Sequence, residues 1–289
     1  MRLSHFFDTI CNMNMPQKMI TLILTMLLSA CTLIGCIAPE NSGTGLTMTV
    51  FSCGKADAIL LQFDGHNVLV DAGENGDGEE LVAELIAAGV EKLDLLLLTH
   101  FDKDHIGGAD TILENIPVDT VRLPAYESDS KQYKQLVDSL NAVTTTIVRM
   151  DADASFSIGA ADFTIWASDI AYNGKNDNEQ SLVTKVLYGG KSILLTGDAE
   201  EDWLHNLVFS TRNLTCDILK LPHHGVYDGN LFTLLTVSMP DTVLITDSVK
   251  NPAEDKTIEL LDTFGCKTYR TMNGTITVLL QNGQITVTQ

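Results

Sequence analysis

The sequence predicts an α/β protein in which two β-sheets pack face to face and helices cover their outer sides. Beyond residue 45, short β-rich segments alternate with amphipathic helical segments, and this order occurs in two successive halves. The 289 residues are sufficient for one domain with a large core, and the hydrophobic content of 45% is ordinary for a globular protein.

In the first half, strands are predicted at residues 47–51, 58–63 and 68–71, and Asp64-Gly65 joins the last two as a hairpin. The remaining elements predicted in this half are a helix at 79–88, a buried strand at 93–98, and helices at 109–114 and 130–141.

In the second half, Gly189-Gly190 is expected to turn the chain between strands at residues 182–188 and 192–195. The other strands predicted here are 163–166, 218–221, 242–246 and further strands from residue 265 to the end, and the helices are 200–208, 231–237 and 252–264.

A polar cluster directly follows the apolar run at residues 93–98. Six residues contain two imidazoles and two carboxylates, namely His100, Asp102, Asp104 and His105, and Gly107-Gly108 comes next. A strand that ends in such a cluster builds a polar site at the edge of a sheet. This spacing favours a pair of divalent metal ions over the alternative, a solvated loop rich in Asp and His.

Three other predicted strands also end in an acid or an imidazole. Asp71 ends the strand at 68–71, Asp198 follows the strand at 192–195, and His223-His224 follow the strand at 218–221. Any one of these could be a turn residue, but four such strand ends together indicate a shared site.

The order of these motifs resembles that of the metallo-β-lactamase-fold hydrolases, and it is most similar to the hydrolase domain of ComEC-type DNA-uptake competence proteins. The resemblance extends from about residue 46 to residue 289. Residues 100–105 have the H-x-D-x-D-H pattern of that branch, where the wider family has H-x-H-x-D-H. Residues 54–58 are similar to its G-Q-G-D-A segment, and residues 178–183 to its N-x-x-S-L-V segment.

The resemblance implies a four-layer αββα sandwich, the metallo-β-lactamase fold, for residues 46–289. Two positions depart from the family's pattern. Val226 follows His-His-Gly where a small residue is usual, and Ala56 replaces a glycine of the opening segment. These departures bear on nuclease activity rather than on the metal site.

The resemblance also implies a cofactor of two divalent ions, zinc or manganese. Matching the family's motifs, His100 and Asp102 are expected to hold one ion, Asp104 and His105 the other, and Asp198 to bridge both. The ions would lower the pKa of a bridging water and bind both oxygens of an in-line displacement. Three carboxylates in this set favour harder ions such as manganese, although zinc also suits the site.

The adjacent histidines His223 and His224 leave an alternative open. One imidazole is expected to complete the metal site of Asp104, and the other to bind a phosphoryl oxygen or to protonate the leaving group. Asp104, His223 and His224 are therefore the candidate catalytic residues.

Two further residues are candidates for the surroundings of the metals. Asp71 can accept a hydrogen bond from a ligand histidine and fix its tautomer, or it can simply stabilise a turn. Asn178 can offer its carbonyl oxygen where relatives place another histidine, or it can be an ordinary loop residue.

Residues 1–38 are predicted to be a targeting segment, and residues 39–45 a linker. Residues 19–38 carry no charge and follow Lys18, a pattern typical of a signal or membrane segment. Cys31 lies in a sequence resembling a lipoprotein cleavage site, and Cys36 lies in a second one. The alternatives are a lipoprotein or an uncleaved membrane anchor, both of which place the domain on the extracytoplasmic face of the membrane, and a secreted protein.

The formal net charge of −20 bears on the substrate. Long polyanions bind through Lys and Arg, and here 18 such residues are outnumbered by 38 Asp and Glu, so nucleic acid is disfavoured. We therefore expect a metal-dependent phosphodiesterase that acts on small anionic substrates. The alternatives are a ComEC-like nuclease acting on DNA and a non-catalytic envelope binding protein that retains the fold.

Overall fold

The computed structural model describes residues 45–289, and in this range fifteen strands, seven α-helices and three short 3₁₀ helices are present. The strands are β1 (Leu46–Val50), β2 (Ile59–Phe63), β3 (His66–Val70), β4 (Leu93–Leu97), β5 (Val118–Pro124), β6 (Thr146–Met150), β7 (Ala154–Ile158), β8 (Ala161–Trp166), β9 (Val183–Tyr188), β10 (Lys191–Leu195), β11 (Ile218–Lys220), β12 (Thr242–Ile245), β13 (Lys267–Arg270), β14 (Ile276–Gln281) and β15 (Gln284–Thr288). The α-helices are α1 (Gly78–Ala87), α2 (Lys103–Ile106), α3 (Ala109–Asn115), α4 (Lys131–Ala142), α5 (Glu201–Val208), α6 (Leu231–Ser238) and α7 (Asp255–Phe264). The 3₁₀ helices are Asn178–Gln180, Pro222–Gly225 and Thr271–Asn273.

The strands form two mixed sheets. The first sheet has eight strands in the order β15-β14-β1-β2-β3-β4-β5-β6, and the second has seven in the order β13-β12-β11-β10-β9-β8-β7. Strands β3 to β6 run parallel to one another, as do β10 to β13, while the remaining pairs, including β2 with β3 and β9 with β10, are antiparallel.

Three hydrophobic clusters divide the domain into four layers, as predicted. The central cluster lies between the sheets, a second lies between the first sheet and helices α1 to α4, and a third lies between the second sheet and helices α5 to α7. Strand β4 shows why its sequence is apolar throughout. Leu95 and Leu97 belong to the central cluster and Leu96 belongs to the second, so both faces of the strand are buried.

The parallel arrangement positions the site. The carboxyl ends of neighbouring parallel strands lie at one edge of a sheet, where open α/β sheets bind ligands. Asp71 follows β3, His100 follows β4, Asp198 follows β10, and His224 follows β11. The two sheets therefore both contribute side chains to the same edge of the sandwich.

Two glycines allow the loops at this edge to pack closely. A Cβ atom on Gly107 would lie 2.3 Å from the backbone nitrogen of Asn75, and one on Gly108 would lie 2.4 Å from the carbonyl oxygen of Ala72. Any larger residue would push apart the loop after β3 and the segment that carries His105.

The structure differs from the sequence expectation in several elements. Strands β5, β6 and β7 were not expected, and helix α2 begins inside the polar cluster, before Gly107. The last helix begins at Asp255 rather than at residue 252, because the preceding backbone bonds elsewhere: the Ala253 N–H donates to Asp247 and the Glu254 N–H donates to the Gly225 carbonyl.

The targeting segment, almost all of the linker, and both candidate lipidation cysteines, Cys31 and Cys36, lie outside the described residues. Within residues 45–289, none of the helices combines the length and the apolar character that crossing a membrane requires.

Candidate metal centre

Ligand-type side chains from both sheets converge at the shared edge. Three overlapping groups of such residues have ligand atoms within 4.8 Å of one another. They are His100, His105 and Asp198; Asp104, His105 and His224; and Asp57, Asp71 and His105. All of these side chains are buried, and His105 belongs to each group.

Three histidines in this cluster are held in the same way. The Nδ1 atom of His100 lies 3.0 Å from the Thr99 hydroxyl, that of His105 lies 2.7 Å from Asp71 Oδ2, and that of His224 lies 3.0 Å from the Thr246 hydroxyl. Their Nε2 atoms are buried and have no hydrogen bond of acceptable geometry within the described part of the chain. A ligand histidine is typically fixed in this way, through the nitrogen that does not bind the metal.

Two carboxylates face these free nitrogens. Asp198 Oδ2 lies 3.1 Å from His105 Nε2 and 3.0 Å from His224 Nε2. Asp104 Oδ2 lies 3.5 Å from His224 Nε2 and 2.6 Å from the ammonium of Lys55, whose side chain is one-third exposed. The donor set of imidazole nitrogens and carboxylate oxygens therefore fits divalent metal ions.

Asp71 is fully buried behind His105. Its carboxylate lies against the His105 ring and also accepts hydrogen bonds from the backbone N–H and the hydroxyl of Thr99, at 2.8 and 2.7 Å. Its backbone has a positive φ of 58°, which Asp tolerates better than most residues. This position agrees with the orienting role considered from the sequence.

The structure separates the two adjacent histidines. The His224 ring lies in the cluster, whereas His223 Nδ1 lies 2.5 Å from Glu200 Oε2. The backbone of both histidines is left-handed, with φ of 47° and 53°, and such strained conformations are frequent at functional sites. His223 keeps 24% of its side-chain surface exposed, against 4% for His224, so it is the more accessible of the two rings.

Asn178 lies beside His223 and not among the buried ligands. Its side-chain N–H donates to Glu200 Oε1 at 3.1 Å, and the same nitrogen is 3.5 Å from His223 Nε2. The Asn178 Oδ1 atom is buried and lacks a hydrogen-bond partner among the described residues. Asn178, Glu200 and His223 thus form one polar group at the rim.

Asp102 is the least enclosed of the predicted ligands. Its side chain is 45% exposed, and its Oδ2 atom lies 3.9 Å from His100 Nε2. Burial of part of the group and the nearby Asp177 carboxylate raise the pKa of Asp102 to about 6.

Four charged residues of the site were not identified from the sequence, namely Lys55, Asp57, Glu200 and Lys220. Asp57 and Lys220 are both buried, and the Lys220 ammonium lies 2.5 Å from Asp57 Oδ2. Burial alone would raise the pKa of Asp57, but Lys220 and His224 together bring it below its usual value. A lysine at the end of the apolar run at 218–221, together with the aspartate of the opening segment, was the signal available in the sequence.

The pKa values of the His100 and His105 rings shift in opposite directions. Burial and the neighbouring His105 ring hold the pKa of His100 well below 6.5, so that imidazole is neutral and can bind a cation. Burial also opposes a proton on His105, but the carboxylates of Asp198 and Asp71 outweigh burial and raise the pKa of His105. A proton and a metal ion compete for such a ring, so metal binding releases protons.

An αββα sandwich with imidazole and carboxylate ligands at one edge defines a metallohydrolase type of protein. The chain belongs to the Metallo-beta-lactamase superfamily, whose family profile matches residues 52–245. The metallo-β-lactamase-fold protein YhfI of Bacillus subtilis has a similar fold, with a TM-score of 0.54 over 84% of this chain and 100% of that chain. At 14% identity, this likeness concerns the fold alone.

Two curated relatives are ComEC-type competence proteins, in agreement with the resemblance found in the sequence. ComE operon protein 3 of Bacillus subtilis (strain 168) is 29% identical over 207 residues, which are 70% of this chain and 26% of that protein. Competence protein ComA of Neisseria gonorrhoeae is 27% identical over 215 residues, which are 74% of this chain and 28% of that protein. The chain therefore spans about a quarter of the length of these relatives.

Proposed function

We propose that this protein is a phosphodiesterase that depends on two divalent metal ions, zinc or manganese. The observation that carries the proposal is the set of three buried histidines, His100, His105 and His224, whose Nδ1 atoms are held while their Nε2 atoms have no hydrogen-bond partner within residues 45–289. Asp198 and Asp104 supply the negative charge beside them.

In this proposal, His100, His105, Asp104, Asp198 and His224 hold the ions. Asp102 joins them by turning its exposed carboxylate towards His100. The ions, when bound, supply an activated water and neutralise charge on the phosphoryl group.

The chain's own residues prepare the ligands and receive the substrate. Asp71 and Thr99 keep the His105 and His100 rings directed at the centre of the site. Glu200 lies against His223 Nδ1, and His223 Nε2, which has only the Asn178 side-chain nitrogen at 3.5 Å beside it, would contact a substrate oxygen. Among the candidate roles of the histidine pair, this geometry favours His224 as the ligand and His223 as the substrate contact.

The charge of the protein bears on the size of the substrate. A net charge of −20 repels a long polyanion, whereas bound divalent ions attract an anion locally. A small phosphodiester therefore keeps the attraction and avoids most of the repulsion.

We further propose that residues 1–38 attach residues 46–289 to the extracytoplasmic face of a membrane, through a lipid on Cys31 or Cys36 or through an uncleaved anchor. The support is the uncharged stretch at residues 19–38 and the cleavage-site-like sequence before each cysteine.

A ComEC-like nuclease acting on DNA is the second candidate. It is favoured by the curated relatives, which are competence proteins, and it needs a local basic surface that the net charge does not reveal.

The test is a comparison of hydrolysis by the purified full-length protein in detergent, with manganese and with zinc. The substrates are bis(p-nitrophenyl) phosphate, linear duplex DNA, single-stranded DNA and nitrocefin. We expect turnover of the small diester that is lost in His100→Ala and His105→Ala. Efficient DNA cleavage that weakens as salt rises would move the nuclease to first place, and activity on nitrocefin alone would contradict the phosphodiesterase.

A further inference from the structure

Lys220 is a fully buried charge in the wall of the site. It ends strand β11, where Ile218 faces the central cluster and Leu219 faces the helices on the outside. Side chains alternate along a strand, so Lys220 lies on the same face as Ile218, between the two sheets. Its neighbours in the register are Leu195 and Leu244, both members of the central cluster. An ammonium group in this position has to be fully paired.

The Lys220 ammonium has three acceptors around it. Asp57 Oδ2 at 2.5 Å and the carbonyl oxygen of Gly197 at 3.3 Å are within hydrogen-bond reach, whereas Asp198 Oδ1 at 3.6 Å is within ion-pair distance only. Asp57 belongs to the loop after β1 in the first sheet, whereas Gly197 and Asp198 belong to the loop after β10 in the second. A single side chain therefore ties together the two loops that flank the site.

This contact divides the two oxygens of Asp198 between different partners. Oδ1 faces Lys220, while Oδ2 lies 3.1 Å from His105 Nε2 and 3.0 Å from His224 Nε2. Asp57 in turn has its other oxygen, Oδ1, 3.5 Å from His224 Nδ1. Lys220 thus contacts no substrate, but it acts on two candidate ligands, one directly and one through Asp57.

We propose that Lys220 is a positioning residue of the metal centre, which holds Asp198 so that only its Oδ2 atom is presented to the ions. This inference rests on the proposed metal-dependent function. In its absence Asp198 would rotate, and the centre would lose the oxygen that faces both His105 and His224.

The opposite effect is expected if Lys220 acts through charge alone. A cation beside the ligands repels other cations, so its removal would then strengthen metal binding. A third role, simple neutralisation of Asp57, predicts that removing both charges restores wild-type binding. These three roles give different results in the same set of variants.

The experiment compares the wild type with Lys220→Met, Asp57→Asn and the double variant Asp57→Asn/Lys220→Met, as full-length proteins in detergent. Lys185→Met is the matched control, because Lys185 is a second buried lysine of the same sheet whose ammonium donates to the carbonyl oxygen of Asn213. Co²⁺ affinity is measured by calorimetry, and the visible absorption of bound Co²⁺ reports its coordination.

We expect Lys220→Met and the double variant to bind Co²⁺ about 10–100-fold more weakly than the wild type, with altered absorption bands, and Lys185→Met to match the wild type. In Lys220→Met, the Asp57 carboxylate stays buried without its partner. If that variant does not fold, the double variant, which contains neither charge, provides the test of metal affinity.

Wild-type affinity and absorption in the folded double variant would overturn the inference, as would tighter binding in Lys220→Met. A wild type that binds no divalent ion would instead contradict the proposed function itself, so the two failures are distinguishable.

Discussion

Replacement of Asp71 by Asn isolates the role of the carboxylate behind His105. Asn has almost the same shape and also tolerates the positive φ of 58° at this position, so the backbone is not strained further. The wild-type carboxylate accepts three hydrogen bonds, from the His105 ring at 2.7 Å and from the backbone and hydroxyl of Thr99 at 2.8 and 2.7 Å. The Asn side chain has only one oxygen that can accept these hydrogen bonds. Its N–H₂ group is itself a donor, so it would face a donor of His105 or Thr99 without forming a hydrogen bond.

The loss can be converted into an expected affinity. Removal of the partner that orients a ligand histidine typically costs about 10–100-fold in metal affinity, which corresponds to about 1.4–2.7 kcal/mol. A buried donor left without an acceptor costs about 1–3 kcal/mol of folding stability as well. We therefore expect Asp71→Asn to fold, to unfold at a lower temperature, and to bind metal more weakly than the wild type.

Asp94→Asn is the matched control. Asp94 lies 3.2 Å from the His66 ring and accepts a hydrogen bond from the backbone of Asn67 at 2.9 Å, so it repeats the carboxylate–imidazole pair at a place remote from the ligands. Calorimetric metal titration and thermal unfolding of both variants form the assay. Equal metal affinity in Asp71→Asn and the wild type would refute the claim that Asp71 orients His105.

Four further substitutions test the pairing of Asp217, the division of roles between His223 and His224, and the lipidation of Cys31. Asp217 accepts two hydrogen bonds from Ser192; although burial opposes it, these bonds and the adjacent Lys191 hold the pKa of Asp217 below its ordinary 3.8. Asp217→Asn should therefore lower the free energy of unfolding in urea by about 1 kcal/mol at pH 7. The difference between the variant and the wild type should shrink as the pH falls through the lowered pKa of Asp217. A difference independent of pH would contradict this. His224→Ala should lose bound metal while His223→Ala keeps it and loses turnover, as elemental analysis and a diester assay on the same samples will show; equal metal loss in both would reject the division of roles. Cys31→Ser should abolish palmitate labelling in cells. Labelling that survives would exclude a lipid at Cys31 and point to Cys36 as the lipidated residue.

The fold was largely predictable because both sheets are covered on both faces. The uninterrupted apolar run at β4 is what a strand buried on two sides requires, and the structure places Leu95 and Leu96 in different hydrophobic clusters. Strand β7, Ala154–Ile158, alternates in polarity as a half-buried strand does, so its sequence contains the signal of a strand. Strand β6 gave none, since it is a largely exposed edge strand with Ile147 at 42% exposure.

The site was predictable where its residues follow strands, and less so where contacts join distant segments. Asp71, His100 and Asp198 stand at the carboxyl ends of their strands, and parallel topology brings such ends together. The pairing of Lys220 with Asp57 depends on how the two sheets approach each other, which no local pattern contains. The choice between His223 and His224 was also beyond the sequence, because it depends on which ring the turn directs inwards.

The number of divalent ions bound per chain tests the central claim most directly. Elemental analysis of the purified full-length protein, after saturation with manganese or zinc and removal of excess metal, is predicted to give close to two ions in the wild type. Asp198→Ala is predicted to lose most of both, because Asp198 Oδ2 faces His105 and His224 together. A wild type without bound metal, or an Asp198→Ala variant that retains both ions, would contradict the account.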